Sequence, residues 1–306
     1  MTYKKLKSLL KVSISINGVL FILLVGIVFM MSISGCTTKP VAPDGGGNVA
    51  EKPADSPSPG DVAGILAVVT AAKDVTGYSW NDRGRSPRAY LDGTTLTFAR
   101  AYCQPKRSDV QVVSAKPTGS SSDALVFLQS KFDAAGLKNV GGVDTLRHVY
   151  VLVLGLGIRE SSGRHCCGRD TSDQTASNAE KASTVEAGAW QTSHDSIGSS
   201  PELAKLFAKY RASSDGCLLE VFKKNVTCNA TNWKNLGQGS DGLAFQKLSK
   251  ECPAFTAEYA AVMMRARRSH YGPINTKKVE ILKTVDVMLK NVQAYIDQHP
   301  GVCEVL

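Results

Sequence analysis

The chain has 306 residues, of which 43% are hydrophobic and 21% are charged, and its formal net charge is +9. Four of the positive charges are lysines within residues 1–35, where no acid lies, so the rest of the chain carries +5. It contains no basic run interleaved with aromatic residues, which argues against nucleic-acid binding.

The N-terminal segment has the pattern of an export signal. Lys4, Lys5, Lys7 and Lys11 precede an apolar run over residues 12–31, and Ile33-Ser34-Gly35-Cys36 follows. The run is long enough to span a bilayer, so an uncleaved signal anchor is one interpretation. The small residues before Cys36 resemble a bacterial lipobox. This resemblance implies that residues 1–35 are removed and that Cys36 is lipidated. The lipid would anchor the protein to a bacterial membrane, which in a Gram-negative host is the outer membrane, with the domain facing the periplasm.

Residues 37–60 hold five prolines, four glycines and no aromatic residue. Such a composition cannot bury enough surface to fold, and it predicts a flexible linker. No second linker and no internal repeat follow. We therefore divide the chain into a signal peptide (1–35), a lipidated cysteine with its linker (36–60) and one domain (61–306).

Seven cysteines follow Cys36: Cys103, Cys166, Cys167, Cys217, Cys228, Cys252 and Cys303. In an exported chain they predict at least two disulfides rather than metal ligands, and no CxxC occurs, so we expect neither metal nor cofactor. Seven is an odd number, so one thiol is left over or pairs with another chain. The adjacent Cys166 and Cys167 are the expected source, since neighbouring cysteines seldom both find good bridge geometry.

Apolar spacings of three and four, together with capping residues, predict a mainly α domain. The predicted helices run from Asp61 through Val69, from Asp123 to Gly136, from Ser200 through Tyr210, from Pro253 through Ala266, and from Val279 to Pro300. Arg265, Arg267 and Arg268 are expected on the solvated side of the fourth helix.

The stretch VLVLGLGIRESSG (151–163) has two interpretations. Gly155 and Gly157 supply two glycines of a dinucleotide-binding turn, but the third position is Glu160, whose charge would repel a pyrophosphate. The other interpretation is a buried helix over Thr145–Glu160, whose glycines let neighbouring helices approach closely. At its C-terminal end, desolvation and the helix dipole would both favour neutral Glu160. Glycoside cleavage needs such a general acid. The alternative is a solvated glutamate paired with Arg159 or Arg164.

A polar segment over residues 164–199 begins just after Glu160, and long polar excursions in compact domains are often functional. Within it, Glu186 is a second carboxylate, a sugar ligand or an exposed strand acid. Asp170 and Asp173 are weaker candidates for the same roles. Gln191 is expected to bind substrate amide or sugar groups.

Three further residues have structural alternatives. Trp190 is a stacking platform for a sugar ring or a core residue. His194 and His270 are expected to be structural rather than catalytic.

A buried helix ending in Glu160-Ser161, a polar loop with a hairpin, and then Gly188-Ala189-Trp190-Gln191 together resemble the lysozyme-like superfamily, in particular goose-type lysozymes and lytic transglycosylases. The resemblance spans roughly residues 145–275. In that family the glutamate is the catalytic acid, and a later Tyr-Asn-Ala-Gly element has its nearest counterpart in Tyr271–Asn275. The resemblance implies a helical domain with a small β-hairpin beside the catalytic helix.

The site implied by this resemblance has Glu160 as catalytic acid, with substrate bound by Ser161, Glu186, Gln191, Tyr271 and Asn275. The expected partner is the glycan strand of peptidoglycan. Two hypotheses follow: a membrane-tethered glycosidase of the lytic transglycosylase or muramidase type, or a non-catalytic lipoprotein that binds cell-wall glycan or protein through a lysozyme-like cleft.

Overall fold

A computed structural model of the chain describes residues 59–168, 185–228 and 240–306, all within the unit Cys36–Leu306. Cys36, the apolar run over 12–31, Asp170 and Asp173 lie outside the described residues. Among the helices that are described, none has both the length and the apolar character needed to cross a membrane.

The described part of the chain is mainly α-helical, as predicted. One antiparallel hairpin lies near its start, with Ser79 opposite Arg85 and Trp80 opposite Gly84. In chain order the elements are α1 (Pro59–Ala71), α2 (Lys73–Thr76), β1 (Ser79–Trp80), β2 (Gly84–Arg85), α3 (Arg88–Cys103), α4 (Ser108–Ser114), α5 (Ala124–Phe127), α6 (Gln129–Ala134), α7 (Gly142–Ser161), a 3-10 helix (His194–Ser199), α8 (Pro201–Ala212), α9 (Leu219–Phe222), α10 (Ser240–Glu251), α11 (Pro253–Ala266), a 3-10 turn (Arg268–His270), α12 (Gly272–Asn275), α13 (Lys283–Gln298) and α14 (Val302–Val305).

Helix α7 is the central element of the core. Every residue from Thr145 to Ile158 is buried, and α3, α4, α11, α12 and α13 all pack against the helix. A helix that is apolar nearly all round is expected to be enclosed in this way. The buried-helix interpretation of residues 145–160 is therefore confirmed, and the strand-and-glycine-turn interpretation is wrong.

The two glycines of α7 are sites of close approach. A Cβ at Gly155 would collide with the main-chain oxygen of Glu280, and one at Gly157 would collide with Tyr90 Oη and Trp190 Nε1. Because glycine has no side chain, the main chain at Glu280 and the rings of Tyr90 and Trp190 lie directly against the helix.

Two of the predicted helices differ from the structure. The helix predicted from Asp123 to Gly136 is interrupted at Leu128, which divides it into α5 and α6. The last long helix begins at Lys283 rather than at Val279. The main-chain nitrogens of Lys278 and Val279 bond instead to Pro273 O, and Lys131 Nζ donates to Val279 O, which holds this segment outside the helix.

The expectation that Arg265 lies on the solvated side of α11 is wrong. Its side chain is only 7% exposed, and its Nε donates to Asp123 Oδ2 at 3.0 Å. Asp123 caps α5 at the same time by accepting from Leu125 N. A guanidinium that is paired in this way can be buried at little cost.

Three disulfides join distant parts of the described chain: Cys103–Cys303, Cys166–Cys228 and Cys217–Cys252. The prediction of at least two disulfides is confirmed. The prediction of a leftover thiol is wrong for the described residues, because none of their cysteines is free, Cys167 included.

Candidate active site

The candidate site is built at the C-terminal end of α7. Ser162 ends the helix in the left-handed conformation at φ 56°, and its main-chain nitrogen donates to Ile158 O. Gly163 continues the turn at φ 73° and donates to Gly157 O. This tight reversal leaves Glu160 in the last helical turn, at the margin of the core.

Glu160 is enclosed by protein on most sides but keeps part of its surface accessible to solvent. Burial raises the pKa of Glu160 to about 8, and the negative charge of Glu186 adds to the shift. The positive charges of Arg83 and Arg159 act in the opposite direction. Glu160 is therefore mostly a neutral carboxylic acid at pH 7, which is the form that a general acid requires.

The alternative of a solvated Glu160 paired with Arg159 is not supported by the contacts of that arginine. Arg159 turns away to the hairpin, where its Nη1 donates to Asn81 O at 2.8 Å and to Asp82 Oδ2 at 3.3 Å.

Glu186 is half-buried and precedes a tight reversal of the chain, in which Ala187 and Thr192 pair as an antiparallel bridge. Gly188 within the reversal has φ 80°, and its nitrogen donates to Cys167 O at 2.7 Å. A Cβ at Gly188 would collide with Ser249 O. A hairpin was expected beside the helix that carries Glu160. Among the described residues of the 164–199 segment, the structure has only this one bridge in its place.

Gln191 lies at the tip of the reversal in a left-handed conformation, at φ 46°. Its Nε2 donates to Gly188 O at 2.8 Å, which holds the side chain against its own turn. The amide oxygen is not part of this bond, and the side chain of Gln191 is partly exposed. Left-handed backbone at a non-glycine residue often marks functional turns.

Ser161 is fully buried, and its hydroxyl joins α7 to this reversal. Its Oγ donates to Ala189 O at 2.8 Å and to Gly157 O at 3.0 Å, and it accepts from Arg164 N at 3.1 Å. These contacts place Ser161 beneath the candidate site.

Tyr271 follows the 3-10 turn after α11 and is buried. Burial is the largest cause that raises the pKa of Tyr271 well above its usual value. Tyr259, Glu160 and Glu186 raise it further, with effects that decrease in that order. The charges of Glu160 and Glu186 thus both act on Tyr271. The structure does not bring the side chain of Asn275 to these two carboxyl groups, because that amide bonds Ser269 O and accepts from Arg268 Nη1.

His270 lies beside Tyr271, with ring centroids 4.8 Å apart. Burial lowers the pKa of His270, so the ring is neutral at pH 7, although Asp195 and a hydrogen bond with the main chain of Gln191 oppose the shift. His270 thus contacts the turn that carries Gln191 through a main-chain hydrogen bond, which is a structural role.

Nine buried side-chain polar atoms of the described residues lack a hydrogen-bond partner. They belong to Trp80, Arg83, Ser86, Thr94, Thr95, Asn139, Thr192, His270 and Tyr271. A buried donor or acceptor without a partner is costly, and native proteins keep few of them. Among these residues, Arg83 and Tyr271 are the two whose pKa values respond to the charge of Glu160.

Arg83 belongs to the candidate site without a sequence motif that marks it. It lies in the turn of the β1–β2 hairpin, and its Nη2 donates to Arg159 O at 2.5 Å. The signal available in the sequence was Asn81-Asp82-Arg83-Gly84, since asparagine, aspartate and glycine favour tight hairpin turns. Nothing in that signal indicates which helix the hairpin contacts.

Trp190 is a core residue, and His194 packs against aromatic side chains while remaining partly exposed. Trp190 is fully buried, its Nε1 donates to Val153 O, and its ring lies 5.5 Å from that of Tyr90. His194 packs edge-on against Phe207 and Phe245. The stacking-platform interpretation of Trp190 is wrong, and the structural one is confirmed.

Potential metal-ligand atoms of His165, Cys166 and Cys228 lie within 4.8 Å of one another. The two sulfurs form a disulfide, so they are not available as thiolate donors. We assign no metal to this group.

A groove of about 790 Å³ lies between α2, α6 and residues 281–284. It contains none of the predicted site residues and none of the buried polar atoms without a partner. We therefore assign no role in the candidate site to this groove.

Comparisons of the chain with protein-family models, with curated proteins and with solved structures gave no match.

Proposed function

We propose that this chain is a peptidoglycan glycosidase of the lytic transglycosylase or muramidase type, with a lysozyme-like helical domain and Glu160 as general acid. The observation that carries the proposal is the raised pKa of Glu160, about 8, at the end of a buried helix and beside a second carboxylate. Cleavage of a glycosidic bond requires an acid that still holds its proton at the working pH.

In the proposed reaction, Glu160 donates its proton to the glycosidic oxygen as the bond to the anomeric carbon breaks. Glu186 then stabilises the positive charge that develops on the sugar, or activates the attacking group. That group is water in a muramidase and the C6 hydroxyl of the sugar itself in a lytic transglycosylase.

The remaining residues take two roles in this proposal. The partly exposed Gln191 binds the sugar or its acetamido group, and the buried Tyr271 is within reach of the charges of both carboxyl groups. Ser161 and Asn275 hold the surrounding backbone through their own hydrogen bonds.

The proposed location of the protein in the cell envelope rests on the sequence alone. Cys36 would carry the lipid anchor, and the linker over 37–60 would let the domain reach glycan strands above the membrane. Replacing Cys36 by serine should release the protein or leave its signal uncleaved. A serine variant that stays membrane-bound after signal removal would contradict lipidation.

The test of activity is mass analysis of purified peptidoglycan after incubation with the full chain in detergent. Anhydro-muramic ends would identify a transglycosylase, and reducing ends a hydrolase. Glu160→Gln should abolish either product, since general acid catalysis commonly contributes about 10²–10⁴-fold. Glu220→Gln is the matched control, because Glu220 is an exposed glutamate whose carboxylate pairs with Lys223. A wild-type protein that binds peptidoglycan and releases no product would favour the non-catalytic lipoprotein.

A further inference from the structure

The β1–β2 hairpin is held rigidly against the domain. Trp80 is buried in the core, with only 2% of its surface exposed. Tyr78 Oη and the main-chain nitrogen of Asn81 donate to the two carboxylate oxygens of Glu280, at 2.7 and 2.8 Å. The hairpin therefore has a fixed position, and a side chain in its turn is placed with precision.

Two arginines join this hairpin to the end of α7 reciprocally. Arg83 of the hairpin donates through Nη2 to the main-chain oxygen of Arg159, at 2.5 Å. Arg159 of the helix donates back to Asn81 O and Asp82 Oδ2. The guanidinium of Arg83 is thus bound to the carbonyl of the residue that directly precedes Glu160.

The Nε of Arg83 is buried and has no hydrogen-bond partner. An arginine keeps its proton at every physiological pH, so this atom is always a donor that needs an acceptor. The charged groups that act on Arg83 are Arg159, Glu160 and Asp82. Asp82 is mostly exposed and bonded to Arg159, so Glu160 is the more enclosed of the two carboxyl groups whose charge acts on Arg83.

We propose that Arg83 is a positioning residue that stabilises the carboxylate formed on Glu160 when its proton is transferred. This inference rests on the proposed function. As the O–H bond of Glu160 breaks, the proton forms a new O–H bond with the leaving sugar and the electron pair stays on the carboxylate. The charge and the Nε donor of Arg83 then offset that new negative charge until the attacking water or hydroxyl returns a proton.

The charged and titratable groups linked electrostatically to Glu160 are Glu186, Arg83 and Tyr271 from neighbouring segments, and Arg159 from α7 itself. Glu186 and the buried surroundings favour the neutral acid, whereas the two arginines favour the carboxylate. Loss of Arg83 should therefore leave Glu160 protonated to a higher pH while making its proton harder to release.

The direct test is a ¹³C NMR titration of the full chain in detergent, labelled at the glutamate carboxyl carbons. The signal of Glu160 is identified by its absence in Glu160→Gln. Arg83→Met should raise the pKa of Glu160 by about one unit or more, since an adjacent opposite charge shifts a carboxyl pKa by about 1–3 units. Arg83→Lys should keep most of the wild-type value. Arg85→Met is the matched control, because it removes one positive charge at an exposed position of the same hairpin.

With peptidoglycan as substrate, Arg83→Met should lower kcat at least about tenfold with little change in KM, and should move the alkaline limb of the pH profile upward. Arg83→Lys should recover most of kcat. Equal pKa values for Glu160 in Arg83→Met and Arg85→Met would overturn the proposal. If circular dichroism shows that Arg83→Met does not fold, the pKa of Glu160 is compared between Arg83→Gln and Arg83→Lys instead. Equal values in these two variants would likewise overturn the proposal. The NMR titration does not depend on glycan cleavage, so failure of the proposed activity is seen separately, as absence of products from the wild type.

Discussion

The hydroxyl of Ser161 donates a hydrogen bond of 2.8 Å to the main-chain oxygen of Ala189. This bond ties the last turn of α7, which carries Glu160, to the reversal that carries Gln191. The same hydroxyl accepts from Arg164 N, where the chain leaves the helix. Ser161 therefore sets the relative position of two parts of the candidate site without facing a ligand.

Ser161→Ala should destabilise the fold and disturb the reversal. It removes the donor to Ala189 O and the acceptor for Arg164 N in a fully buried position, and leaving such groups unpaired costs about 1–3 kcal/mol. Urea unfolding would measure the loss, and binding to purified peptidoglycan would measure the effect on the site. Ser269→Ala, at an exposed serine, should change neither. A Ser161→Ala protein of wild-type stability would contradict this role.

Gly157→Ala should destabilise the protein, against the usual effect of this substitution in a helix. Alanine normally gains up to about 1 kcal/mol over glycine in a helix. Here its Cβ would collide with Tyr90 Oη and Trp190 Nε1. Both atoms are held by hydrogen bonds to main-chain oxygens of α7, so they cannot move away cheaply. Overpacking of this kind costs about 1–3 kcal/mol.

Thermal and urea unfolding of Gly157→Ala would measure this balance. Gly272→Ala is the control, since no heavy atom lies near its added Cβ. Adding Tyr90→Phe to Gly157→Ala removes one of the colliding atoms and should recover part of the loss. An increase in stability for Gly157→Ala alone would show that the packing relaxes freely.

The sequence predicted those features that depend on a local pattern. The central helix followed from a run that is apolar on all sides, and Glu160 followed as its C-terminal residue, because the helix continues without interruption. The capping of α5 by Asp123 and of α8 by Ser200 likewise depends on residues close in sequence.

What could not be predicted depends on contacts between distant parts of the chain. Arg83 and Arg159 are 76 residues apart, and Arg265 and Asp123 are 142 apart. In neither pair does the local sequence around one residue indicate which distant residue it contacts. The late start of α13 has the same origin, because its expected first residues bond to Pro273 and Lys131 and pass against Gly155 of α7.

Removal of the Cys103–Cys303 disulfide should cost more stability than removal of either of the other two that the described residues form. It closes the longest loop, with a sequence separation of 200 against 62 and 35. The chain-entropy relation gives about 5 kcal/mol for the longest loop and about 4 kcal/mol for each of the others. Urea unfolding of the three paired Cys→Ser variants would give the order. A Cys103→Ser/Cys303→Ser protein as stable as the wild type would contradict the pairing.

The last prediction concerns the effect of pH on stability through Glu160. Its pKa is about 8 in the folded chain against a reference of 4.5, because burial and Glu186 disfavour the charged form. Between these two values the native state holds a proton that the unfolded state has lost, so stability falls as pH rises. The loss is absent below pH 4.5, grows through this window and is complete above about pH 8. Glu160→Gln removes this titration, so it should raise stability at pH 8 by up to a few kcal/mol and change it little at pH 4. Urea unfolding of both proteins at several pH values would measure the difference, with Glu220→Gln as control. A gain for Glu160→Gln that is equal at pH 4 and pH 8 would mean that Glu160 is not held neutral by the fold.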